Sequence, residues 1–149
     1  MRTVPIFLAI AVQFFAPAVL AQHVKTSPCT IEDSKRAFDA VDKLDGWGAV
    51  VNFYNEYLPC DDGGIAEGVS DSVTKFLANN WTGFWRLNPT VRTKPQFQQF
   101  VVRHIDATVS VEALKSIGRN ARNRCPEESA ALCKKIGNAA SSAIKESGH

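Results

Sequence analysis

Residues 29–60 read CTIEDSKRAFDAVDKLDGWGAVVNFYNEYLPC, two helix-length apolar patterns bracketed by cysteines, and this stretch decides the fold. Thr30-Ile31-Glu32-Asp33 resembles a capping box with the shorter acid. It opens a helix that periodicity carries to about Leu44 on Phe38, Val41 and Leu44, with Gly46 as its stop. A second helix carries Trp47, Val50, Val51, Tyr54, Tyr57 and Leu58 on a wide apolar stripe. It stops at Pro59, because proline disfavours helix in the residue before it. The pair forms a helical hairpin whose two ends, Cys29 and Cys60, lie side by side. A bridge between them would staple it.

The same periodicity continues outward, and no six-residue stretch alternates as a half-buried strand would. Cys60-Asp61-Asp62-Gly63-Gly64 is the most turn-like segment, after which Ile65, Val69, Val73, Phe76 and Leu77 predict a third helix to about Asn80. Trp81 to Leu87 either continues it or forms a short separate helix, since Gly83 weakens continuity by about 1 kcal/mol. Asn88-Pro89 breaks the pattern. Thr93, with Pro95 at an early helical position, opens a fourth helix bearing Phe97, Phe100, Val101 and His104 and ending near Asp106. Ser110 caps a fifth on Val111, Leu114, Ile117 and Ala121. Pro126 starts a sixth on Leu132, Cys133, Ile136, Ala140 and Ile144. The expected class is all-α: a compact, disulfide-stapled bundle of five to six helices in one domain.

The N-terminus carries Met1-Arg2, an apolar run from Val4 to Phe15, Pro17, and small residues ending at Ala21. This is a signal-peptide pattern, too short at about 12 apolar residues to span a bilayer, which needs about 20. Cleavage is expected after Ala21, with Ala18 as the alternative, leaving residues 22–149 as the mature domain and a periplasmic or secreted destination. The formal charge then falls from +2 to +1, a balance that argues against nucleic-acid binding. No membrane association is expected after cleavage.

Four cysteines in an oxidising compartment predict two disulfides. Pairing Cys29 with Cys60 leaves Cys125 and Cys133. Eight residues of continuous helix would hold those about 12 Å apart, beyond the reach of about 7 Å for a bridge. That pairing requires residues 125–128 to fold back as a loop; crossed pairings with the last helix stay open. The cysteine spacings lack the short knuckle of a zinc site.

The strongest polar concentration is Asp61, Asp62, Glu67 and Asp71. Helix capping and solvent exposure account for these acids in the ordinary way, and their spacing fails the calcium-loop pattern. They nonetheless make an acidic pole. Lys115, Arg119, Arg122, Arg124, Lys134 and Lys135 make a basic one, and a dipolar surface suits protein partners. Trp81 and Trp85, four apart, share a face if one helix holds them, and one of them could anchor an interface. His104 is the only histidine well inside the domain. No serine lies in a nucleophile-elbow context.

Cys60-Asp61-Asp62-Gly63 with Glu67-Gly68, the run Phe100 to Asp106, and Cys125-Pro126 with Leu132-Cys133 resemble a group of small exported proteobacterial proteins of unassigned function. The resemblance covers Phe38 to Ile136 and implies a compartment and a fold, not an activity. In size, helicity, export and disulfides the chain is also similar to periplasmic immunity proteins that neutralise cell-wall amidases delivered by type VI secretion. The expected function is a non-enzymatic protein-binding domain, such as a periplasmic inhibitor or immunity protein, with Asp61, Asp62, Glu67, Asp71, Trp81 and Trp85 as its binding residues. No catalytic residue, metal or cofactor is expected in that reading. The alternative is an envelope-acting hydrolase, with Glu67 or Asp71 and His104 as acid and base.

Overall fold

The computed structural model describes residues 24–86 and 94–148. The signal-peptide reading, the Asn88-Pro89 break and the Thr93 cap lie outside these residues. Among them the chain forms seven α-helices and no strand. These are α1 (Ile31–Val41), α2 (Trp47–Tyr57), α3 (Gly63–Asn79), α4 (Trp81–Arg86), α5 (Pro95–Arg103), α6 (Val111–Asn123) and α7 (Ala130–Glu146). Single 3-10 turns follow α2, at Leu58–Cys60, and precede α7, at Glu127–Ser129.

The hairpin of α1 and α2 is closed by the Cys29–Cys60 disulfide. Thr30 caps α1 by accepting from the Asp33 amide at 3.1 Å, while its hydroxyl donates to the Asp33 carboxylate at 2.8 Å. Lys25 and Arg36 also reach that carboxylate, at 2.8 and 2.7 Å. The helix differs from its expectation in two ways. It ends at Val41, and Leu44 is buried from the following turn. Phe38 is 60% exposed rather than core, because α1 buries the Asp33 and Ala37 side of the helix instead.

α3 is the central helix, with Ile65, Val69, Val73 and Leu77 buried along one stripe. The Asp62 carboxylate caps it by accepting from the Gly63 amide at 2.8 Å, with Gly63 at φ +52°, a conformation that favours glycine. At its other end Asn80 terminates α3 and starts α4, its side-chain oxygen accepting from the Gly83 amide at 3.1 Å. The aromatic stretch is therefore a separate helix. Trp47 packs on Phe84 with centroids 4.7 Å apart, and Tyr54 meets Phe97 and Phe100 at 5.2 Å each, joining α2 to α4 and α5.

α6 and α7 form a second antiparallel hairpin, with Leu114, Ile117 and Ala121 buried on one helix and Leu132, Ile136, Ala140 and Ala143 on the other. Cys125 and Cys133 are bridged, with Cα atoms 6.1 Å apart. The continuous helix that would have separated them does not form, because residues 124–129 are turn and 3-10 backbone. Asn120 joins α6 to the end of α3: its amide nitrogen donates to the Leu77 and Ala78 carbonyls, both at 3.0 Å. Those carbonyls belong to a helix C-terminus and have no intrahelical donor of their own.

Candidate functional site

The polar chemistry of this domain converges on His104. It follows the last turn of α5 and is 1% exposed, its ring edge-on to Phe100 at 4.5 Å. Its Nε2 lies 3.1 Å from Asp61 Oδ2, and its Nδ1 lies 3.0 Å from Ser70 Oγ. Ser70, in the middle of α3 and 3% exposed, donates to Asp106 Oδ2 at 3.0 Å. Asp61 Oδ2 also accepts from the Arg103 guanidinium. Its second oxygen, Oδ1, is buried with no hydrogen-bond partner among the described residues.

Each member is placed by a different local cause. Asp61 follows the 3-10 turn that Pro59 and Cys60 impose, so its carboxylate turns inward while Asp62 faces the helix end. Ser70 falls on the buried stripe of α3, one turn after Val69's neighbour Ala66 and one turn before Thr74. Thr74 is satisfied locally, donating to the Ser70 carbonyl at 2.6 Å. Asp106 heads the turn after α5, where its Oδ1 accepts from the amide of Thr108 at 2.9 Å and from that residue's hydroxyl. Burial alone would raise the Asp106 carboxyl. The Thr108 and Ser70 hydrogen bonds and the nearby imidazole outweigh it and hold the group below the usual carboxylate range.

The expected binding residues are thus distributed over three environments. Asp61 is corrected from surface to interior: its side chain is 1% exposed because Arg103 and His104 draw it in. Asp62 is exposed and acts as the α3 cap. Glu67 and Asp71 are exposed, one turn apart on α3, and line a surface cleft of about 420 Å3 with Lys75, Asn79, Thr108 and Ser110. Neither is a hydrogen-bond partner of His104, whose partners are Asp61 and Ser70. Trp81 is corrected from a candidate surface anchor to core. It is 2% exposed and its indole donates to the Arg124 carbonyl at 2.7 Å, tying α4 to the end of α6. Trp85 is half-buried against Trp81 and Phe84.

Ser70, Asp106 and Asn120 carry this polar interior and were not singled out from the sequence. A signal for them exists: each lies on or next to the apolar stripe of its element, where a polar side chain must find a buried partner. No cluster of metal-ligating side chains occurs among the described residues, and no helix among them is long and apolar enough to cross a membrane. Comparison with protein-family models, with curated proteins and with solved structures finds no match for this chain.

Proposed function

We propose that this chain is an exported protein-binding domain that works without catalysis, as an inhibitor or immunity partner of an envelope-acting enzyme would. The observation that carries the reading is where the reactive groups sit. Ser70, His104 and Asp61 are arranged as a row of hydroxyl, imidazole and carboxylate, yet the hydroxyl is 3% and the imidazole 1% exposed. The Ser70 hydroxyl is also committed to Asp106. A nucleophile must meet its carbonyl carbon, so chemistry used up in holding helices together is unavailable to substrate. Two disulfides fit an oxidising compartment.

The surface that remains for recognition is the exposed acidic side of α3, Glu67 and Asp71, beside the cleft bounded by Lys75 and Thr108. Charge of one sign on a rigid helix steers and selects a partner of the other sign. Affinity capture from an envelope extract with the wild type and with Glu67→Arg, Asp71→Arg tests it. A partner retained by the wild type and lost by the variant is the expected result. Equal recovery by both overturns the surface assignment.

The second reading is a serine hydrolase, favoured by the 3.0 and 3.1 Å spacing of the Ser70, His104 and Asp61 row. It requires Ser70 to become accessible. A fluorophosphonate probe should leave the folded chain unlabelled; labelling that disappears in Ser70→Ala would establish this reading instead.

A further inference from the structure

The two disulfides differ in what surrounds them. Cys125 and Cys133 both line an open cavity of about 380 Å3 between the end of α6 and the first half of α7. Its wall is mostly apolar, and Ala121 meets α7 there at Gly137. The charged side chains in that wall are Arg122 and Lys134, both exposed, and no acid shares it. The two cysteines are unequally placed. Cys133 is 3% exposed on the first turn of α7, whereas Cys125 is half-buried in the connection before it.

A disulfide at the wall of a cationic cavity is open to one kind of reagent. Exchange begins when a thiolate attacks a disulfide sulfur, and cations beside the path favour the approach of an anion. A small thiol that also bears carboxylates has both groups this cavity takes. Its carboxylates meet Lys134 and the paired donors of the Arg122 guanidinium, and its thiolate reaches Cys125. The other bridge offers an anion no such reward, although Cys29 is exposed. Glu32 and Asp33 follow Cys29, and Asp61 and Asp62 follow Cys60. The cations nearby are engaged with those acids: Lys25 and Arg36 with Asp33, and Arg103 with Asp61. Loop length points the same way. Opening the bridge that spans 31 positions releases more chain entropy than opening the one that spans 8, so the longer bridge is favoured by about fivefold in its closing equilibrium. With Cys125–Cys133 open, Leu114 and Ile117 on α6 and Leu132 and Ile136 on α7 stay buried and hold the hairpin.

We propose that Cys125–Cys133 is a thiol-exchange site for small anionic thiols, used without unfolding the domain and involving none of the acidic residues of α3. The incoming thiolate forms a bond to Cys125 Sγ as the Cys125–Cys133 bond breaks. The electron pair leaves on Cys133 Sγ, which takes a proton from water and stands as a thiol beside the mixed disulfide. A second thiolate attacks the mixed disulfide at the sulfur of the bound thiol. It releases the reagent as its own disulfide and leaves Cys125 as a thiol. The bridge is then reduced by two electrons and two reagent thiols have been oxidised to one disulfide; the reverse sequence closes the bridge again.

The test exposes the full folded chain to glutathione, which bears carboxylates, and in parallel to 2-mercaptoethanol, which is neutral, at about pH 8, where part of each thiol is ionised. Samples quenched in acid at intervals are alkylated and mapped by mass spectrometry. With glutathione, Cys125–Cys133 should open while Cys29–Cys60 is still closed, with alkyl on Cys133 and either glutathione or alkyl on Cys125. Arg122→Gln, Lys134→Gln should slow opening by glutathione about fivefold or more and leave opening by 2-mercaptoethanol unchanged, the neutral reagent reporting on the fold of the variant. Added salt should narrow the same difference in the wild type. Cys29–Cys60 opening first or together with the other bridge, glutathione found on Cys133, or equal slowing of both reagents in the variant would each overturn the proposal.

Discussion

Removing each disulfide separately gives an internal measurement of what ties this chain together. Cys29–Cys60 spans 31 positions and Cys125–Cys133 spans 8. Chain-entropy arithmetic assigns these loops about 3.7 and about 2.6 kcal/mol at 25 °C, a difference of about 1 kcal/mol in favour of the longer one. The comparison controls for the substituted side chains, because each bridge joins one deeply buried cysteine, Cys60 or Cys133, to a more accessible one, Cys29 or Cys125. Replacing both members by serine therefore leaves one poorly placed hydroxyl in either case. The assay is non-reducing urea unfolding of Cys29→Ser, Cys60→Ser against Cys125→Ser, Cys133→Ser, with the wild type as reference. The hairpin variant should lose more stability by about 1 kcal/mol. Equal losses, or a larger loss for the short loop, would refute loop closure as the main contribution.

Asn120→Asp should destabilise more than Asn120→Ala, by urea midpoint, because the carboxylate sets two acceptors against the Leu77 and Ala78 carbonyls. The alanine variant should lose about 2 kcal/mol for two buried carbonyls left without donors. Gly68→Ala places a methyl against Val41 Cγ1 where α1 crosses α3. Overpacking of about 1–3 kcal/mol should outweigh the helix-propensity gain of about 1 kcal/mol, and Val41→Ala in the same chain should recover part of the loss in thermal melts. At acid pH the sign comes from depressed carboxylates. Hydrogen bonds from Lys25, Arg36 and Thr30 hold Asp33 far below its ordinary 3.8, and Asp106 is also lowered. Their contribution is present above that ordinary value and is lost as pH falls below it, so Asp33→Asn should flatten the decline of stability measured between about pH 5 and pH 3.

The helices were legible because burial repeats along them. Ile65, Val69, Val73 and Leu77 on α3, and Leu114, Ile117 and Ala121 on α6, are the residues the stripe names and the residues the structure buries. The hairpin bridge was legible for a related reason, since two antiparallel helices of similar length bring their outer ends together. Phe38 shows where periodicity fails. It recurs at helical spacing with Val41, yet the neighbouring stripe on Asp33 and Ala37 is the one that is buried. Which of two overlapping stripes is buried depends on the partner helix, and Gly68, whose missing side chain lets α3 approach Val41, is encoded 27 positions away from it.

The polar interior was harder to read, because its members are paired across the sequence. His104 lies 34 positions from Ser70 and 43 from Asp61, and Asp106 lies 36 from Ser70. Within each segment these residues have ordinary local explanations: a serine in a helix, a histidine near a helix end, an acid in a turn. What distinguishes Ser70, His104 and Asn120 is position rather than type, for each occupies a stripe otherwise filled by apolar side chains. A polar group there is costly unless its hydrogen bonds are made, so it implies a partner on another element even before that partner can be named. The acids of the Asp61 to Asp71 segment divide on the same principle. Asp61 follows a proline-bearing turn and goes inward to a cationic and an imidazole partner, whereas Glu67 and Asp71 lie on the side of α3 away from its Val69 and Val73 stripe and stay in water. An acidic run therefore marks a surface only at those positions where the helix phase also points outward.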